Sequence, residues 1–273
     1  MKSTLIVLLL WLFPIWSDAQ TQDIVIGKAE DIYSSILQED RILNISLPDG
    51  YDKNRAYPVI YLLDGSVDED FIHVAGLVQY NAFPWVKRIE PSILVGIANK
   101  DRKKDFTSPS DNPLDIEYIP NNGGSAQFIA FIEKELQPYI AAQYKTTGEK
   151  TLIGQSLGGL LACEILFTKP QLFDKYIIIS PSLWWRDNYL MDVNHSVFNN
   201  EYTKETSVYI GVGTEGSIDD AVDAMEDDAK KLADKMKREK TRHARIFFDH
   251  LVDEDHGTAG HQAILNAFKL FAQ

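Results

Sequence analysis

TLIGQSLGGL, residues 151–160, carries a serine between glycines where a strand-forming segment changes into a helix-forming one. Gly154, Ser156 and Gly158 match the pattern G-x-S-x-G, in which small residues flank a serine on a sharp strand-to-helix turn. About one chain in ten of this length would match by chance, so the flanking strand and helix matter more than the letters. The stretch predicts a nucleophile elbow with Ser156 as the nucleophile. An ordinary glycine-rich turn is the alternative.

Segments of strand and helix character alternate along the rest of the chain. The strand-like segments are residues 41–48, 57–65, 92–99, 151–156, 176–182, 207–215 and 244–250. The helix-like segments are residues 125–144, 217–236 and 259–271, and residues 99–124 form a long irregular stretch after a strand. This alternation predicts an α/β fold with a mostly parallel central sheet and helices on both faces.

The first nineteen residues are typical of a secretory signal peptide. Lys2 precedes an apolar run, and the small residues Ser17 and Ala19 stand at positions −3 and −1 of a cleavage site. An uncleaved anchor is disfavoured because the run is shorter than the roughly 20 apolar residues that a membrane span needs. We therefore expect residues 1–19 to be removed and residues 20–273 to form one exported domain, periplasmic or secreted, with no membrane span.

Composition and charge limit the classes of partner. The formal net charge is −13, which disfavours binding to nucleic acid or to anionic membranes through general electrostatics. Cys163 is the only cysteine, so an intramolecular disulfide is excluded, and its apolar surroundings predict a buried, unreactive thiol. The sequence contains no Cys/His cluster with metal-ligand spacing, no P-loop and no dinucleotide fingerprint. It predicts neither a metal nor a cofactor.

A serine nucleophile requires a histidine base, which follows the serine along the chain in α/β-hydrolases. The histidines after Ser156 are His195, His243, His250, His256 and His261. His256 lies in VDEDHGTAG, between the last strand and the last helix, where the base belongs. We predict His256 as the base, with His250 in reserve; a solvated surface histidine is the alternative.

The acid that orients the histidine should follow the strand at 207–213. Glu215 has this position and is the predicted acid. Asp219 and Asp220 compete for the role, although both are better explained as residues of the first turn of a helix. A Ser–His dyad without an acid is the remaining alternative.

Two backbone N–H groups are predicted to form an oxyanion hole. The N–H of Leu157 follows the nucleophile at a helix N-terminus. Gly65, in the Asp-Gly turn after the strand at 57–65, would let the backbone approach the substrate closely. A plain turn is the alternative reading of Gly65.

Three further side chains are candidate substrate contacts. Trp184 and Trp185 follow a strand end and would either stack on a substrate or fill the core. Arg102 would bind an anionic substrate group together with Asp105, or the two would pair with each other and hold the long loop.

These residues resemble the putative esterase family of α/β-hydrolases, in particular its exported branch of enterochelin esterase-like proteins. The resemblance spans residues 30–271 and rests on the motifs YPVIYLLDG, VGIANKDRKKDFTSPS, GGSAQFIAFIEKELQPYI, GQSLGGLLA, ISPSLWW and DHGT, in this order. It implies the α/β-hydrolase fold, Ser156 as nucleophile and His256 as base. Some members of the branch look like Ser–His dyads, and the family often has Asn where this chain has Ser66.

The sequence as a whole predicts an exported serine esterase that hydrolyses a small-molecule carboxylic ester through an acyl-enzyme. The resemblance implies a siderophore trilactone as substrate. A feruloyl or acetyl carbohydrate esterase, an acyltransferase and a non-catalytic binding protein are the alternatives. The sequence does not specify an oligomeric state.

Overall fold

An eight-stranded sheet forms the centre of the part of the chain that the computed structural model describes, residues 21–192, 202–215, 225–239 and 242–273. The strands are β1 (Lys28–Ser34), β2 (Glu39–Ser46), β3 (Tyr57–Leu62), β4 (Ile93–Ile97), β5 (Thr146–Gln155), β6 (Lys175–Ile179), β7 (Thr206–Gly213) and β8 (Ala244–Leu251). Their order is β1-β2-β4-β3-β5-β6-β7-β8. β3 to β8 pair in parallel, and β1 and β2 are antiparallel. The predicted, mostly parallel sheet is confirmed.

Helices cover both faces of this sheet. They are α1 (Phe71–Ala82), α2 (Arg102–Asp105), α3 (Pro113–Tyr118), α4 (Ser125–Phe131), α5 (Gln137–Gln143), α6 (Leu157–Thr168), α7 (Trp185–Asp192), α8 (Met225–Glu239) and α9 (Ala259–Phe271). Side chains of α1 and α9 form one buried core with one face of the sheet, and those of α4, α5, α6 and α8 form another core with the opposite face. Alternate residues of β6 therefore enter different cores: Tyr176 and Ile178 one, Ile177 and Ile179 the other.

The predicted helices agree with the structure where it describes them. α4 and α5 are joined by a π-helical segment, Ile132–Leu136, into the single helix expected at residues 125–144. α9 has the predicted bounds, 259–271. The first residues of the helix predicted at 217–236 lie outside the described residues, and the rest of that helix is α8, from Met225 onward.

The sequence predicted an irregular stretch at residues 99–124. In the structure this stretch contains α2 and α3. The side chain of Asn112 accepts a hydrogen bond from the N–H of Leu114, and Pro113 is the first residue of α3. Pro is favoured at that position because its missing N–H would have no partner in the helix. Asn112 and Pro113, which begin a helix, were thus interpreted as loop residues.

Two other expectations concern burial and membranes. Cys163 is buried on α6, as predicted, and burial raises the pKa of its thiol. Residues 1–19, the predicted signal peptide, lie outside the described residues. Within the described residues, the structure has no helix that is both long and apolar enough to cross a membrane.

Candidate active site

Ser156 lies between β5 and α6 in a backbone conformation that is strained for a residue with a side chain. Its φ is 58° and its ψ is −119°, and such outliers cost about 1–3 kcal/mol unless the surroundings impose them. Here the surroundings do so: its N–H donates to the carbonyl of Ile179 at 2.9 Å, and its carbonyl accepts from the N–H of Ser182 at 3.1 Å. Both partners belong to the end of the neighbouring strand β6 and the residues after it.

Gly154, two residues before Ser156, is required by close packing. A Cβ on Gly154 would lie 2.4 Å from the carbonyl oxygen of Gly158 in the first turn of α6. The strand and the helix therefore approach each other across the turn more closely than any side chain allows. This is the local geometry that the G-x-S-x-G pattern indicated.

Glu215 and His256 meet at the same edge of the sheet, because β7 and β8 are parallel neighbours and the two residues follow their carboxyl ends. His256 Nδ1 lies 2.6 Å from Glu215 Oε2. The side chain of Glu215 is fully buried, whereas that of His256 is 39% exposed. The other oxygen of Glu215, Oε1, has no hydrogen-bond partner among the described residues. Of the predicted acids, Asp219 and Asp220 lie outside the described residues.

The loop of His256 is tied to the elbow by the residue before the serine. Gln155 Nε2 donates to the carbonyl oxygen of His256 at 2.5 Å. The reserve candidate His250 lies on β8 and pairs through Nε2 with Glu226 at 3.3 Å. Glu226 in turn accepts a hydrogen bond from the backbone N–H of Glu215 at 2.7 Å. His250 thus contacts a residue that supports the predicted acid.

The hydroxyl of Ser156 lies beside a second serine. Ser156 Oγ is 3.3 Å from Ser182 Oγ, and within the described part of the chain it makes no hydrogen bond to His256. Hydrogen bonds between catalytic groups are often long without substrate and tighten when it binds. Sequence reasoning missed Ser182; its signal was a polar residue just after the apolar strand beside β5.

The predicted donor Leu157 is the first residue of α6. A residue at this position has no acceptor for its N–H within the helix, and the helix dipole favours negative charge there. The N–H of Leu157 is therefore suited to an oxyanion.

The prediction that Gly65 donates to the oxyanion needs correction. Its N–H donates to the carbonyl of Ile97 at 3.0 Å, so it is already used between the ends of β3 and β4. A Cβ on Gly65 would lie 2.3 Å from the Cα of Gly96, which explains the glycine by packing. Among the described residues, the next N–H, that of Ser66, donates only to a side chain, the Glu69 carboxylate, with Oε2 at 3.3 Å.

The two tryptophans have different environments. Trp185 is completely buried, and its indole Nε1 donates to the carbonyl of Ser108 at 3.0 Å. The prediction of Trp185 as a substrate contact is therefore wrong, since the ring fills the core. Trp184 is partly exposed, and its ring centroid lies 6.1 Å from that of Tyr118. Trp184 remains a candidate contact.

Replacing Trp185 by Phe should lower the free energy of unfolding by about 1–3 kcal/mol, because it leaves the buried carbonyl of Ser108 without its donor. Urea unfolding followed by circular dichroism measures this change. The matched variant Trp184→Phe should change it by less than about 1 kcal/mol, because that ring is partly exposed. Equal effects would contradict the assignment of Trp185 to the core.

Arg102 and Asp105 do not pair with each other. Arg102 Nε and Nη2 lie 2.5 and 2.9 Å from the two carboxylate oxygens of Asp64. Asp105 instead pairs with the buried Arg41 at 2.8 Å. The prediction of Arg102 as a substrate contact is corrected, because its guanidinium is already bound to a carboxylate of the protein.

The arrangement offers no metal site within the described residues, where no group of three or more His, Cys, Asp or Glu side chains is placed to hold an ion.

The parallel sheet, the strained serine after β5 and the His–Glu pair after β7 and β8 define an α/β-hydrolase. A profile of the family described as Putative esterase matches residues 34–271. The chain belongs to this family, and the resemblance seen in the sequence is confirmed.

Three known proteins illustrate what the chain is similar to, and two of them carry hydrolase or esterase names. An IroE-like serine hydrolase from Shewanella oneidensis is 30% identical, with a TM-score of 0.79 over 89% of this chain and 79% of that one. The BES protein from Bacillus cereus is 27% identical, with a TM-score of 0.79 over 93% and 99% of the two chains. Ferri-bacillibactin esterase BesA from Bacillus subtilis (strain 168) is 34% identical over 161 residues, 54% of this chain. The match spans 55% of BesA, about half its length.

Proposed function

We propose that the protein is a serine esterase that hydrolyses carboxylic esters through an acyl-enzyme. The observation that carries this proposal is the strained Ser156 at the end of β5, at the sheet edge where His256 and Glu215 form a hydrogen-bonded pair. Membership of the Putative esterase family supports the same reaction class. We assign this activity to one domain, residues 20–273.

In the first half of the reaction, the Ser156 hydroxyl turns from Ser182 and attacks the ester carbonyl carbon. His256 Nε2 takes the hydroxyl proton, and Glu215 holds the Nδ1–H and stabilises the imidazolium. The carbonyl oxygen becomes an oxyanion. When this tetrahedral intermediate collapses, the bond to the alcohol oxygen breaks and His256 gives its proton to the leaving alcohol, so that an acyl-enzyme remains.

In the second half, His256 takes a proton from water, which attacks the acyl carbon. The second tetrahedral intermediate collapses by breaking the bond to Ser156 Oγ, which takes its proton back from His256. The carboxylic acid leaves, and the enzyme returns to its starting state. Each intermediate carries its negative charge on the same oxygen, so one oxyanion hole serves both.

We assign the two oxyanion donors to the backbone N–H groups of Leu157 and Ser66. Ser66 takes the place that the sequence had suggested for Gly65. Its N–H donates to the Glu69 carboxylate at 3.3 Å, a long contact that a stronger acceptor can replace. The Gly65 N–H is bound to backbone and has no such freedom.

We further propose that the ester belongs to a siderophore of the lactone class. BesA, a relative over about half its length, is named for ferri-bacillibactin. The partly exposed ring of Trp184, beside Tyr118, is suited to stacking on an aromatic group of such a ligand. The signal peptide predicted at residues 1–19 supports a reaction outside the cytoplasm.

The substrate assignment is tested with the protein from residue 20 onward and an iron-loaded triscatecholate trilactone, with ring opening followed by chromatography. We expect kcat/KM for the trilactone to exceed that for ethyl ferulate by at least about tenfold. Ser156→Ala is the control for uncatalysed opening. Faster hydrolysis of the ferulate, or of acetylated xylan, would make the protein a carbohydrate esterase instead. Acyl transfer to an added alcohol in preference to water would make it an acyltransferase.

A further inference from the structure

We propose that the ion pair of Arg102 and Asp64 is a positioning device for the oxyanion hole. It joins the loop after β3, which carries the Ser66 N–H, to the elbow, which carries the Leu157 N–H. This inference rests on the proposed function and adds to it a residue that fixes the distance between the two donors. Arg102 acts through these loops and does not touch the substrate.

The guanidinium of Arg102 binds both loops at once. Its Nε and Nη2 form a fork on the two oxygens of Asp64, at 2.5 and 2.9 Å. Nη2 also donates to the carbonyl oxygen of Gln155 at 3.3 Å, which belongs to the peptide immediately before Ser156. A planar, bidentate guanidinium fixes direction as well as distance, which an ammonium group does not.

Asp64 transmits this restraint to the oxyanion loop. It is a non-glycine residue with a φ of 55°, a strained conformation that the surroundings must hold in place. Its Oδ1 also accepts from Asn99 Nδ2 at 2.6 Å, and its carbonyl accepts from the N–H of Asp70 at 3.2 Å. Arg102 is the only Lys or Arg that pairs with Asp64 among the described residues.

The same carboxylate also lies against α6. Asp64 Oδ2 is 3.3 Å from the position that a Cβ on Gly158 would take, in the first turn after the nucleophile. The side chain of Asp64 is only 11% exposed and that of Arg102 30%, so water screens the pair incompletely. The pair therefore sits between the loops that carry the two proposed donors.

Small displacements of such donors have large kinetic effects. An oxyanion donor acts only when it lies about 2.7–3.1 Å from the developing charge, and loss of one donor costs about 10²–10³ in kcat. Loss of the Arg102 fork leaves both donors present but loosens their spacing. The effect should therefore fall on kcat and should be smaller than loss of a donor.

The test compares Arg102→Gln and Arg102→Lys with Lys204→Gln. Lys204 is a matched control: its side chain is 28% exposed, pairs with Asp174 at 3.1 Å and donates to the carbonyl of Gln171 at 2.8 Å. On p-nitrophenyl acetate, Arg102→Gln should lower kcat about 10- to 100-fold with KM changed less than about threefold. Arg102→Lys should fall between it and the wild type, and Lys204→Gln should match the wild type.

A second readout separates positioning from a merely structural role. Affinity for a trifluoromethyl ketone, which forms an oxyanion with the nucleophile, should fall in Arg102→Gln by the same factor as kcat/KM. If Arg102→Gln fails to fold, Asp64→Asn takes its place as the test variant, because it keeps the side-chain shape and removes the charge. It should lower kcat and the affinity for the ketone in the same way.

The contrary outcomes are distinct. An unchanged kcat in Arg102→Gln, or a raised KM at constant kcat, would overturn the positioning role, the latter by making Arg102 a substrate contact. A lower melting temperature with unchanged kinetics would overturn it as well. A wild-type protein inactive on both p-nitrophenyl acetate and the trilactone would instead refute the proposed function, before any variant is compared.

Discussion

Ser156→Ala is expected to lower kcat for p-nitrophenyl acetate by at least about 10⁴-fold, because it removes the hydroxyl that forms the acyl-enzyme. The serine stands at a turn whose strain is held by Ile179 and Ser182 on both sides of its peptide. Alanine fits the same turn, so the fold should remain. Stopped-flow or plate-reader release of p-nitrophenolate measures the rate, and circular dichroism checks the structure.

Ser182→Ala is the matched control, since the Ser182 hydroxyl contacts Ser156 Oγ at 3.3 Å. It should retain activity within about tenfold of the wild type, as expected for a neighbour that takes no part in bond formation. A near-complete loss in Ser182→Ala with an active Ser156→Ala would exchange the roles of the two serines.

Glu215→Gln is expected to lower kcat by about 10²–10⁴-fold, because an amide can present an N–H to His256 Nδ1 and select the wrong tautomer for a base. The 2.6 Å contact and the complete burial of the Glu215 side chain leave the ring little freedom to find another acceptor. KM should change much less than kcat, since Glu215 does not contact the substrate. Steady-state kinetics at fixed pH measures both.

The competing acids provide the controls for this prediction. With Glu215 as the acid, Asp219→Asn and Asp220→Asn should leave kcat within about threefold of the wild type, because neither carboxylate then takes part in the reaction. Loss of activity in one of them with an active Glu215→Gln would move the acid to that residue. Full activity in all three variants would make the enzyme a Ser–His dyad.

The parallel sheet and the elbow could be predicted because they depend on local patterns. The five residues of β4 are all buried, as are the last four of β6, so each leaves an unbroken apolar run in the sequence. Edge strand β1 was missed for the opposite reason. Its sequence, KAEDIYS, is mostly polar and largely exposed, and only pairing with β2 makes it a strand.

The order of residues along the chain also predicted the His256–Glu215 contact. Parallel strands bring their carboxyl ends to one edge, so two residues that follow β7 and β8 must be neighbours. The topology of the fold was therefore sufficient to predict this contact.

The side-chain contacts that were predicted wrongly involve partners that are far away in the sequence. Arg102 was expected either to bind substrate or to pair with Asp105, three residues away, whereas its partner Asp64 is 38 positions distant. Trp185 finds its acceptor, the carbonyl of Ser108, 77 positions away. Gly65 is explained by the approach of Gly96 from the adjacent strand. Such contacts are set by tertiary packing and leave no periodic signal in the sequence.

Labelling with a fluorophosphonate tests the central claim most directly, because this probe reacts far faster with an activated serine than with an ordinary hydroxyl. Intact-mass spectrometry of the protein from residue 20 onward should show one adduct, and peptide mapping should place it on Ser156. Ser156→Ala should remain unlabelled, and His256→Ala should react far more slowly. An adduct on another residue such as Ser182, or ester turnover that persists with Ser156 unlabelled, would contradict the account.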